Sequence, residues 1–145
     1  MTRIVAMAAL AAGLSLAVTA GAQAQTVDMK GTWTGDAQNI VSGPANHHPS
    51  TGPGVRPADA HRLSDQKFTM KIDGQDGRRF WGTIGTASKT ERVIGSFSTD
   101  NKRVYMVDDD GYIDGVVVDA TTLDVCYRHV RPDSGVVGCE LLKKQ

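Results

Sequence analysis

Glutamate is nearly missing from this 145-residue chain: of 16 acidic residues, only Glu91 and Glu140 are glutamates and the other 14 are aspartates. Alanine is scarce once the first 24 residues, which hold nine of the fifteen, are set aside. Glu, Ala and Leu favour helices, whereas Asp competes with the backbone for hydrogen bonds and favours turns, so a helical domain is excluded. Net charge is also lacking, with 16 basic residues against 16 acidic ones. That balance excludes a basic nucleic-acid binder and a protein held electrostatically to membranes. Two cysteines without a Cys-x-x-Cys pair exclude a dithiol redox centre. Only residues 4–20 form a long apolar run, and no second run reaches the roughly 18 residues of a membrane span. A nucleophile elbow, a paired-histidine zinc motif and the glycine patterns of dinucleotide or phosphate loops are all absent. Scattered aspartates leave a carboxylate pair open, as glycoside hydrolysis needs, but nothing in the spacing brings two together.

The apolar run follows Arg3 and ends near Ala22-Gln23-Ala24, the charged, apolar, small-residue order of a secretory signal. Residues 1–24 are expected to be that signal, and 25–145 one exported domain, periplasmic or secreted. Period-two alternation between turn residues predicts eight strands: 32–41, 67–73, 78–86, 91–98, 103–107, 112–118, 122–130 and 136–143. From residue 73 onward the connections have hairpin length, so neighbouring strands pair antiparallel. The fold class is therefore all-β. An eight-stranded antiparallel up-and-down barrel removes both sheet edges, and a flattened sandwich or open roll is the alternative. Residues 42–66, rich in Gly, Pro and Ser, read as one long loop, either a surface excursion or a lid over one barrel mouth. A short helix at 57–63 fits either reading.

Cys126 and Cys139 sit on the last two strands, and export exposes them to an oxidising compartment. A two-residue turn at Pro132-Asp133 sets Arg131 against Ser134 and the two cysteines directly opposite each other. A four-residue turn, 132–135, makes them diagonal neighbours instead. The first register suits a disulfide, and a buried thiol pair is the competing reading.

Gly31-Thr32-Trp33 resembles the opening of the calycin barrels, the group that includes lipocalins and avidins. The resemblance implies that Trp33 plugs the closed end of a barrel and that Lys143 or Lys144, on the last strand, packs across its ring. A cation over an indole contributes about 0.5–2 kcal/mol. Biotin binding is not implied, since avidin pockets hold several tryptophans and this chain has Trp33 and Trp81 only. Residues 68–83 are also similar to uncharacterised secreted bacterial proteins with Asp-rich hairpins.

Four groups of residues carry candidate chemistry. Phe68, Met70, Trp81, Tyr105, Tyr127 and His129 are expected to line a cavity or mouth that binds a small-molecule ligand. His47, His48 and His61 share the long loop, either as solvated side chains or as a zinc or copper site. Asp108, Asp110, Gly111 and Ile113 echo the middle of a calcium loop whose first and last ligands are missing, so a polar hairpin turn competes with weak calcium binding through Asp108, Asp110 and Asp114. Arg78-Arg79 either neutralise Asp73 and Asp76 or bind an anion. The reading that follows is an exported, calycin-like, non-enzymatic barrel binding a small or partly apolar ligand in its interior, with no cofactor. The alternative is a module that presents the 42–66 loop to a cell-envelope protein over a solid core.

Overall fold

A computed structural model describes residues 26–43 and 61–145. Eight strands run in chain order: β1 (Gly31–Ser42), β2 (Arg62–Asp76), β3 (Arg79–Gly85), β4 (Thr90–Phe97), β5 (Arg103–Val107), β6 (Tyr112–Asp119), β7 (Thr122–Arg131) and β8 (Ser134–Lys144). Each strand pairs antiparallel with the next, and β1 pairs with β8, so the sheet is a closed up-and-down barrel. The expected fold class holds. The signal expected at residues 1–24 lies outside the described residues.

The largest boundary correction falls on β2, which also runs on to Asp76 rather than ending at 73. Residues 62–66, read as the end of the long loop and partly as a helix, are the first stretch of β2 and pair with Ala37 to Val41. Their alternation is inverted: Arg62, Ser64 and Gln66 take the inner positions, while Leu63 stands 70% exposed outside. A strand that turns polar side chains inward does not look like a strand in sequence.

Inside, the barrel is divided along its axis. At one end Met29, Trp33, Met70, Ile72, Phe80, Phe97, Leu123 and Leu142 form a continuous apolar core. Trp33 is fully buried and donates its indole N–H to the Met29 carbonyl at 2.8 Å. A bulge between Ile72 and Gly74 shifts the phase of β2. The shift brings Gln75 to the segment ahead of β1, where its side chain accepts from the Met29 N–H and donates to the Val27 carbonyl. That segment closes the apolar end.

Of the two candidate cations, Lys144 takes the stacking role, its Nζ 5.6 Å from the Trp33 ring centre. Lys144 also donates to the Asp28 carbonyl at 2.6 Å, so the last strand, the plug and the leading segment are tied at one point. Replacing Lys144 with Met keeps the stem but removes the charge. It is expected to destabilise the barrel by about 1 kcal/mol in urea unfolding, with Lys143→Met, exposed on the same strand, nearly neutral.

The hairpin of β7 and β8 has the two-residue turn. Arg131 pairs with Ser134, Cys126 lies directly opposite Cys139, and the two are disulfide-bonded. The bond lies on the outer surface, because the neighbouring Val125 and Gly138 point in. It cross-links the strand that completes the ring.

Candidate functional site

The other half of the interior is largely polar, apart from the buried pair Val41 and Val136. Asn39, Ser64 and His129 are buried there, with Gln66, Glu91, Asp108, Asp110, Tyr127 and Glu140 around them. Those on strands are placed by the same alternation that buries the apolar end, Leu142 pointing inward on β8 and with it Glu140 and Gly138, while Asp108 and Asp110 lie in the β5–β6 turn. Buried polar groups must be paired, and most of these are. Asn39 Nδ2 donates to the Ser64 carbonyl at 2.8 Å, and Gln66 Nε2 to Ser64 Oγ at 3.1 Å.

Asp108 caps the β5–β6 turn, its Oδ1 accepting from the Gly111 N–H at 2.6 Å and from the Asp110 N–H at 3.2 Å. Burial holds its carboxyl above the usual range despite those bonds, and the nearby Glu91 and Asp110 charges push the same way. Asp110 accepts from the Tyr127 hydroxyl at 2.9 Å and from Arg131 at 2.8 Å, with His129 Nδ1 3.6 Å away. Desolvation, followed by the Asp108 charge, raises the Tyr127 phenol, which stays a donor. His129 Nε2 and Ser134 Oγ are 3.3 Å apart. Gly111 is required here, since a Cβ at that position would lie 2.2 Å from the Tyr127 ring.

Glu140 stands apart from this network. Its Oε2 is buried without a hydrogen-bond partner, and no cation is paired with it among the described residues. Burial, with a smaller contribution from the Asp36 charge, pushes its carboxyl up to about 7. It lines an internal cavity of about 30 Å³ together with Phe68, Ile84, Ile113, Glu91 and Asp108. At about 10–15 Å³ per water, that space takes two waters or a group of similar size.

The expected site residues divide between two places. Phe68 and Tyr127 line the cavity, His129 is buried beside Tyr127, and Met70 points inward but lies deeper, in the apolar core. Trp81 and Tyr105 do not line the interior: they are 47% and 51% exposed on the outer surface. Phe80 and Val104, their neighbours, take the inner positions, so alternation turns both aromatics out. Asp108 and Asp110 converge with Glu91, their candidate ligand oxygens within 4.8 Å of one another, while Asp114 points outward to Arg128. Asp110 is met by Arg131, Glu91 by Lys89, and Asp108 by backbone N–H groups, so this trio is internally compensated. His47 and His48 lie outside the described residues. His61 is exposed just ahead of β2. Arg79 pairs with Asp76, as the turn reading expects, and Asp73 pairs with Lys71.

Sequence reasoning missed Glu91 and Glu140, the only glutamates of the chain, both inward-facing. The signal existed in the period-two phase set by Val93 and Leu142, two residues from each. No family model, curated protein or solved structure matches this chain.

Proposed function

We propose that this chain is an exported, non-enzymatic barrel that binds a small, partly apolar amine through the polar half of its interior. The observation that carries the reading is the buried, uncompensated Glu140 carboxyl at a cavity that it lines with the apolar Phe68, Ile84 and Ile113 and with two further carboxylates, Glu91 and Asp108. A barrel interior that served only as a core would be filled with apolar side chains at this level. A carboxylate taken out of water asks for a cation, and the apolar walls suit the carbon atoms next to it. The cavity admits an ammonium head, with the remainder of the ligand directed away from the apolar core. Export is supported by the signal-like order of residues 1–24 and by a disulfide suited to an oxidising compartment.

The test is calorimetric titration of the protein with short n-alkylammonium chlorides. Glu140 must be ionised to hold the cation, so affinity is expected to rise with pH through about 7. Protons are released on binding below that point. Glu140→Gln should weaken binding at least about thirtyfold, the lower end of what removing one partner of a buried charge pair does. Equal binding by the variant, or no heat with any amine across the pH range, would sink the proposal.

A further inference from the structure

Trp81 and Tyr105 belong to an organised outer face. Across the barrel wall, strand register sets Trp81 beside Ile94, Ile94 beside Val107 and Val107 beside Tyr112 in one row. Two residues along, a second row reads Arg79, Ser96, Tyr105, Asp114. The first row is exposed and apolar, with Ile94 59% and Tyr112 64% accessible. Between the rows lies an open hollow of about 750 Å³, with Gly95 and Ser96 among its lining residues. The Trp81 indole is laid along the wall by Gly74, where a Cβ would come within 2.2 Å of the ring.

The closed barrel has no free strand edge, so a partner meets it face to face. The pattern of the two rows says which partner. Across the midline between β4 and β5 the first row is symmetric, aromatic–aliphatic–aliphatic–aromatic. The second is antisymmetric in charge, running from Arg79 to Asp114 through two uncharged residues. A two-fold axis along that midline exchanges β3 with β6 and β4 with β5. It sets Trp81 on Tyr112, Ile94 on Val107 and Arg79 on Asp114 of the facing copy, with Tyr105 entering the hollow above Ser96.

We infer that this face joins two copies of the chain in an isologous dimer. Aromatic side chains bury about 150–250 Å² each, so the five exposed apolar residues offer on the order of 500 Å² per copy; the charged rim extends this toward the roughly 800 Å² of a standard interface. Arg79 and Asp114 already have Asp76 and Arg128 beside them, so the pairs formed across the axis extend two networks without introducing a lone buried charge.

Sedimentation velocity from about 1 μM to several hundred μM tests this, with the fluorescence of Trp81 as a second signal, since Trp33 is already buried. The wild type is expected to pass from monomer to dimer, with a blue shift. R79D and D114R, both at exposed pairs, should keep their fold by circular dichroism and each raise the dissociation constant at least about tenfold through like-charge contact. The decisive sample is their equimolar mixture, in which every position across the axis is complementary again and dimer returns. A wild type monomeric throughout, a variant that dimerises like the wild type, or a mixture that stays monomeric overturns the inference. A monomer whose Trp81 emission shifts on adding neutral oligosaccharides also overturns it, assigning the face to a glycan.

Discussion

Glu140→Gln should stabilise the barrel far more at pH 8 than at pH 5. The folded chain holds the Glu140 proton up to about 7, against 4.5 for the free side chain. Between these values the folded state binds more protons than the unfolded state, so wild-type stability falls as pH rises across the window and levels off above it. The full difference is on the order of 3 kcal/mol. Glutamine occupies nearly the same volume and does not ionise, so the variant lacks this fall. Asp108, also raised, adds a loss in the same direction in both proteins. Asp28, Asp100 and Asp119 are lowered by local hydrogen bonds, so their contribution is present at neutral pH and is lost only below the ordinary carboxylate range, outside the window. Urea unfolding of both proteins at several pH values between 5 and 8 checks this. Parallel curves would mean that Glu140 is solvated and that no uncompensated carboxyl lies in the barrel.

Trp33→Ala is expected to cost more stability than Lys144→Met or any substitution on the outer face, about 3–5 kcal/mol. The side chain is fully buried in the apolar half, and its removal opens a void that Met29, held by Gln75, cannot follow into. The substitution also leaves the Met29 carbonyl without its donor and Lys144 without its ring. For a domain of this size the midpoint of thermal unfolding should fall by about 10–20 °C. Trp81→Ala, measured at a concentration low enough for the monomer, should stay within about 1 kcal/mol, because the indole packs on one side only. Similar losses for the two tryptophans would contradict the placement of Trp33 as a plug.

The fold is legible where inner and outer residues differ in polarity. Lys67, Thr69 and Lys71 alternate with Phe68, Met70 and Ile72, and that stretch of β2 can be read from sequence. Five residues earlier the same strand carries Arg62, Ser64 and Gln66 inside, and there the sequence reads as loop. The rule that exposes a strand to a reader is the rule the polar half breaks, so the site and the unreadable segment coincide. Trp81 and Tyr105 are misplaced by sequence for a related reason. Phe80 and Trp81 are both aromatic, and Arg103 is followed by four apolar residues in succession, so polarity gives no phase. There the closed ring settles the side, because β3 and β5 are held in register by neighbours whose alternation is plain. The two glutamates are readable in principle, but the expectation that charged residues face solvent hides them. The disulfide is open between two registers in sequence, and the length of a single turn decides it.

Closing the sheet through β1 and β8 also sets the order in which the molecule can be made. Seven of the eight strand pairings join consecutive segments, and the last joins Trp33 to Lys144 across nearly the whole domain. Bringing distant segments together carries the larger entropic penalty, so local hairpins form readily and the ring is completed late. Until Ser134–Lys144 has been synthesised, β1 and β7 each present an open row of backbone donors and acceptors. The growing chain is therefore at its most adhesive just before β8 is added, and that strand of eleven residues converts it from a template for aggregation into a sealed ring.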